Sequence, residues 1–215
     1  SVWMYKVVAV TNIQRVFRGY SSRKRLEFNR LISDFEEGLR TKLMQVFDND
    51  PNLTKLVLDG DLISTENGDS EIIALAKALK GNTSITDIDF SENDASYISD
   101  DVVIELAAAL EKNRSVKRLD LSHAFYGIRN DGLNALFTAL KNHSSLTELN
   151  LSGNQISDNV AIELAAALEN SRSVKTIDLT RTQIGHEGAI ELLEKCSSVT
   201  RLVLEGNGLG DEGAI

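Results

Sequence analysis

From residue 53 onward the chain repeats one apolar phrase six times, a pattern that argues for stacked small units rather than one globular core. The copies are Leu53-Leu56-Leu58, Ile85-Ile88-Phe90, Val116-Leu119-Leu121, Leu146-Leu149-Leu151, Val174-Ile177-Leu179 and Val199-Leu202-Leu204. Their first positions step by 32, 31, 30, 28 and 25 residues. That is the period of supersecondary units, none of which can bury its apolar face alone. Stacks of this kind make binding surfaces far more often than active sites.

Within each unit the apolar period switches from 2 to 3.6, so a strand is followed by a helix. In the fourth unit Leu149 and Leu151 alternate with Glu148, Asn150 and Ser152, and Val160, Leu164, Ala165 and Leu168 then share one helical stripe. Units two, three and five repeat the stripe with Val103-Leu106-Leu110, Leu133-Leu136-Phe137-Leu140 and Ala189-Leu192-Leu193-Cys196. The expected fold is α/β, a curved parallel sheet inside with helices outside. These residues resemble the leucine-rich repeat family, specifically its ribonuclease-inhibitor-like branch with a full helix per unit. The resemblance covers residues 52–215, about five and a half repeats. The sixth breaks off at Asp211-Glu212-Gly213-Ala214-Ile215, where its helix should begin, as in a fragment of a longer protein. It implies that Asn93, Asn154 and Asn207 bond to backbone groups in the turn after the strand, with Asp61, Ala124 and Thr182 in their place elsewhere. A cap at residues 31–51 should cover the first repeat, its amphipathic helix running over Asp34–Phe47 with Phe35, Leu39, Leu43, Met44 and Phe47 as its apolar face.

Charge divides the chain more sharply than its total of −9 suggests. Residues 1–30 hold seven basic side chains against Glu27, leaving 16 basic and 31 acidic residues in the rest. This first segment is expected to be a basic helical arm. Its residues Ile13-Gln14-Arg15-Val16-Phe17-Arg18-Gly19-Tyr20, continuing to Arg23 and Leu26, resemble the IQ motif of calmodulin- and light-chain-binding helices. On a helix, Ile13, Phe17 and Tyr20 form an apolar stripe that an open EF-hand lobe can grip. The resemblance implies that Gln14 bonds to partner backbone, Arg18 and Arg23 meet acidic groups around the two lobes, and Leu26 supplies the later apolar contact. Gly19 lets the partner backbone approach closely. The implied partner is calmodulin or a related EF-hand protein, with calcium dependence left open. The other reading of the arm is a basic helix lying back on its own acidic solenoid.

Two surfaces could take a further protein partner. Extra residues in units one to three all fall on one rim, in 61–69, 93–101 and 124–131, which carries Tyr97, Phe125, Tyr126 and Arg129. Aromatic and arginine side chains are frequent energetic centres of interfaces; alternatively Phe125 and Tyr126 fold inward to fill a widened loop. The concave face should present Asp89, Asp120, Asn150 and Asp178 in a central row, with Lys55, Asp87, Arg118, Glu148, Thr176 and Arg201 alongside. Neighbouring strands lie ~4.8 Å apart, so Asp89 and Asp120 should repel unless Arg118 or a ligand such as a basic peptide compensates. A merely solvated face is the other reading.

Nothing in the sequence points to an enzyme or a cofactor. His123, His143 and His186 sit in different turns without metal-ligand spacing, and Cys196 takes a core position. Gly206-Asn207-Gly208-Leu209-Gly210 is a repeat turn rather than a phosphate cradle. No apolar run approaches the ~18 residues of a membrane span, and the acidic body opposes nucleic acid. A single cysteine favours a reducing compartment. The leading expectation is a cytoplasmic protein-interaction scaffold, the pairing of modules suggesting a cytoskeletal or ciliary setting. Two regulators built on similar repeats are the alternatives. One is a GTPase-activating protein using Arg129 or Arg181; the other is an actin-capping module of the tropomodulin kind, whose separate actin-binding helices find no match here.

Overall fold

The computed structural model describes residues 22–58, 68–91, 99–124 and 130–210. Helix α1 spans residues 22–31 and α2 spans Glu37–Phe47. Five strand–helix units and a last strand follow: β1 Lys55–Val57, α3 Gly68–Leu79, β2 Asp87–Asp89, α4 Asp100–Lys112, β3 Arg118–Asp120, α5 Asn130–Lys141, β4 Glu148–Asn150, α6 Asp158–Leu168, β5 Thr176–Asp178, α7 His186–Lys195 and β6 Arg201–Val203. The sheet runs from β1 to β6 in chain order, every pair parallel. Leu56, Ile88, Leu119, Leu149, Ile177 and Leu202 stand in register in its middle row. The first five are essentially buried in the core they share with the helices. Strands pack ~4.8 Å apart whereas helices need ~8–10 Å, so such a stack curves with its sheet inside.

The helical stripes of α4, α5 and α6 are buried as their periodicity predicts. In α7, Ala189, Leu192 and Cys196 are buried, but Leu193 is 66% exposed, against expectation. Its counterpart in α6, Ala165, is fully buried where α7 packs alongside. Among the described residues no helix follows α7 to cover Leu193 in the same way. At the opposite end α2 packs on α3 and buries Leu39, Leu43 and Val46. It begins at Glu37 rather than Asp34. The Ser33 hydroxyl donates to the Arg30 carbonyl (3.0 Å) and to the Asp34 carboxylate (3.1 Å), closing α1 and turning the chain first.

The returns from α3, α4, α5 and α6 to the next strand each hold one buried polar side chain: Asn82, Asn113, His143 and Ser171. The Asn82 Oδ1 accepts the Ser84 and Ile85 amides (3.0 and 2.8 Å), and its Nδ2 donates to the Val46 carbonyl (2.7 Å). Asn113 repeats the device, accepting from Ser115 and Val116 and donating to the carbonyls of Leu79 and Asn82. One amide thus closes its own turn and ties it to the preceding unit, satisfying backbone groups that water cannot reach. His143 manages half of this. Its Nδ1 accepts the Leu146 amide (3.1 Å), while Nε2 has no hydrogen-bond partner.

The turns after β3, β4, β5 and β6 each pass through a left-handed residue: His123 (φ 56°), Gly153 (70°), Arg181 (51°) and Gly206 (70°). Glycine alternates with a bulkier residue for a steric reason. A Cβ on Gly153 would run into the His123 ring, and one on Gly206 would lie 2.9 Å from the Arg181 Cγ. Gly153→Ala is therefore expected to lower the unfolding free energy by about 1–2 kcal/mol, and by less in a His123→Gly background. A urea double-mutant cycle measures both; equal losses in the two backgrounds would mean that only the backbone angle matters.

Candidate functional site

On the sheet face turned away from the helices, two polar rows flank the buried middle row, because successive strand residues point to opposite sides. The outer row is Lys55, Asp87, Arg118, Glu148, Thr176 and Arg201; the inner row is Val57, Asp89, Asp120, Asn150, Asp178 and Val203. In the outer row Arg118 bridges both neighbours, Nε to Asp87 at 3.2 Å and Nη1 to Glu148 at 2.5 Å. Its side chain is 57% exposed, so these pairs add little stability and remain open to exchange with a partner's charges.

The inner row is built differently. The Asp89 Oδ1 accepts the Ser91 hydroxyl (2.7 Å) and amide (3.1 Å), and the Asp120 Oδ1 takes the Ser122 hydroxyl and amide at 2.7 and 3.0 Å. Asn150 and Asp178 accept the Ser152 and Thr180 amides in the same way. Each side chain closes the turn that leaves its own strand. The second oxygens look outward. The Asp89 Oδ2 lies 3.5 Å from the Lys55 ammonium, and the Asp120 Oδ2 accepts the Asn150 amide at 2.9 Å. Arg118, expected to relieve the repulsion between Asp89 and Asp120, is instead engaged in the outer row; Lys55 and Asn150 relieve it. Burial pushes the Asp89 carboxyl upward, but the Ser91 hydrogen bonds and the Lys55 charge outweigh burial and hold its pKa below the ordinary carboxylate value.

In the turns that follow, Asn154 and Asn207 make the backbone bonds expected of them. The Asn154 Nδ2 donates to the Leu121 and Leu151 carbonyls (2.9 and 2.8 Å), and the Asn207 Nδ2 to those of Leu179 and Leu204 (2.7 and 3.1 Å). Thr182 substitutes by donating its hydroxyl to the Leu179 carbonyl at 3.0 Å.

A second surface lies at the start of the chain. Helix α1 is docked on α2: the Phe28 and Phe47 rings stack at 4.5 Å, Ile32 is fully buried just beyond the helix, and the Arg25 guanidinium grips the Asp48 carboxylate with Nη2 at 2.8 Å and Nε at 3.0 Å. Arg23 and Arg30 are exposed, and Leu26 is 53% exposed. Ile13, Gln14, Phe17, Arg18, Gly19 and Tyr20 lie outside the described residues, as do Tyr97, Phe125, Tyr126, Arg129, Asp61 and Asn93. Asp48 was not anticipated. It stands 23 residues from Arg25, and no local pattern marks so distant a pair.

Among the described residues no cluster of three or more His, Cys, Asp or Glu side chains could hold a metal ion. Burial pushes the Cys196 thiol up to about 11, which keeps it protonated and a poor nucleophile. No described helix is long and apolar enough to cross a membrane.

A family model described as "Leucine Rich repeat" matches residues 142–165, 170–193 and 195–215. No curated protein sequence matches the chain. Among solved structures, leiomodin-1 actin-binding site 2 is similar at 22% identity with a TM-score of 0.56, over 74% of this chain and 88% of that one. The C-terminal domain of tropomodulin from Caenorhabditis elegans is similar at 15% identity with a TM-score of 0.59, over 74% and 92% of the two chains. Leucine-rich repeats are thus present in this chain, and its six-stranded parallel sheet backed by helices is the fold shared with these two domains.

Proposed function

We propose that this chain is a non-enzymatic protein-interaction scaffold. The repeat array binds a protein partner along its concave face and rim, and the basic stretch at Ile13–Leu26 recruits calmodulin or a related EF-hand light chain. The observation that carries the first half is the open sheet face, where charged side chains from consecutive strands stand in register with exposed ends. A surface of alternating charge without a metal cluster or an activated nucleophile among its described residues suits recognition rather than bond making. Support for the second half is the basic motif itself and the outward aspect of Arg23 and Leu26. On a native gel the chain is expected to shift with calmodulin, calcium-free or calcium-loaded, and the Ile13→Ala/Arg18→Ala variant is expected to lose the shift. If the wild-type chain does not shift in either state, recruitment is removed.

A second reading is an actin-binding module, supported by the likeness to leiomodin-1 actin-binding site 2. Co-sedimentation with filamentous actin separates the two. Saturable pelleting that Arg118→Glu abolishes would favour actin as the partner of the concave face.

A further inference from the structure

We infer that helix α1 is a two-faced connector whose docked form is the one the EF-hand partner binds, so that the partner is held rigidly against the repeat array rather than on a loose tether. This rests on the recruitment reading above and specifies how the site works. One face of α1 belongs to the solenoid. Arg25, Phe28 and Ile32 follow one another at three- and four-residue intervals, and all three engage the cap, through Asp48, Phe47 and the core respectively. The opposite face carries Arg23, Leu26 and Arg30, again at three- and four-residue intervals, and all are exposed. Leu26 is an apolar side chain more than half exposed, on a helix whose docked apolar anchor, Phe28, is 5% exposed. An apolar residue flanked by two arginines matches the chemistry of an acidic protein with an apolar groove, and it lies on the face opposite the one that engages the cap.

The two faces do not compete. Arg23 and Leu26 are the last two anchors of the basic motif, so the distal half of the partner's footprint falls on a helix that the cap has already ordered. A segment held in its binding conformation avoids the cost of ordering at the moment of association. The cap thereby raises the affinity of a site it does not itself contain. In the other direction, the bound partner stabilises the docking of α1 on α2.

Asp48 is the clean lever, because it lies in the cap and outside the motif. Calorimetric titration of the full chain with calmodulin, with and without calcium, compares wild type, Asp48→Arg and Leu26→Asp. We expect Asp48→Arg to weaken binding about three- to tenfold by populating undocked α1. Leu26→Asp should weaken binding about tenfold or more without lowering the melting temperature of the array. Hydrogen exchange of the α1 amides should slow when calmodulin is bound. If Asp48→Arg tightens binding or leaves it within twofold, or if α1 exchanges faster in the complex, the partner takes a released helix and the inference fails. Should the wild type not bind at all in either calcium state, the recruitment reading fails instead. Circular dichroism of each variant confirms that the array is folded.

Discussion

Leu149→Ala is expected to lower the unfolding free energy by about 3–4 kcal/mol, whereas Leu202→Ala, the same change at the same strand position, is expected to cost less than half as much. Leu149 is 1% exposed and stands between Leu119 and Ile177 on the two neighbouring strands. Its removal opens a hole walled by three units, and the rigid rows on either side cannot collapse into it. Leu202 is half-buried on β6, with Ile177 beside it on one side only among the described strands. Water already reaches that site, so less transfer energy is lost and less cavity is made. In a stack whose stability is a sum of unit and interface terms, a central deletion damages two interfaces and a terminal one damages a single interface. Urea unfolding monitored by circular dichroism gives both values. Equal costs would mean that the last strand is as well covered as the middle of the sheet.

The fold was legible because its cause is local and repeats. Each unit had to show an alternating run, then a 3.6-residue stripe, and the middle strand residues Leu56 to Leu202 lie in register where the phrase puts them. Burial demand recurs with the backbone period, so it leaves a pattern in the chain. What escaped depends on which neighbour a side chain chooses. Asp89 and Asp120 could be placed side by side from strand spacing, but the partner of Asp89 is Lys55, diagonally across from it, and that of Asp120 is Asn150. Several donors lie within reach of each carboxylate, and no spacing rule ranks them. That the basic helix could lie back on its own solenoid was one of two open readings, but its partners were not legible: Arg25 and Asp48 meet only because two helices pack, and that contact has no period. Leu193 shows the converse limit. Its place on the stripe was read correctly, yet a stripe position is buried only where a next helix arrives to cover it.

His143 gives the array a pH dependence that its two relatives in the same ladder do not have. It takes the place that Asn82 and Asn113 fill in the preceding units, and its Nδ1 accepts the Leu146 amide, so Nε2 carries the proton of the neutral ring. In the previous units the asparagine Nδ2 donates to preceding carbonyls. Here the Arg114 guanidinium already donates to the Glu111 and Asn113 carbonyls (2.6 and 2.8 Å), and the His143 Nε2 is left without a partner. Burial first, and then the Arg114 charge, lower the His143 pKa from an ordinary 6.5 to about 4. Above pH 6.5 both folded and unfolded chains hold a neutral ring and the residue contributes nothing to pH dependence. As pH falls below 6.5 the unfolded chain takes up a proton that the folded one refuses, so stability declines until the folded ring also titrates near pH 4. The span corresponds to at most about 3 kcal/mol at one RT-scaled step per pH unit. Asp89, whose pKa is depressed below an ordinary 3.8, loses its contribution only at lower pH, so the two windows are separate. Denaturation between pH 7.5 and 4.5 should therefore show the wild type level down to about pH 6.5 and weakening steadily below it. His143→Asn should be flatter by most of that amount, because Asn keeps the acceptor for Leu146 and never titrates. His143→Ala should also be flatter but weaker throughout, since the buried Leu146 amide then has no acceptor. Equal slopes for wild type and His143→Asn would show that the ring is reached by water and protonates in place.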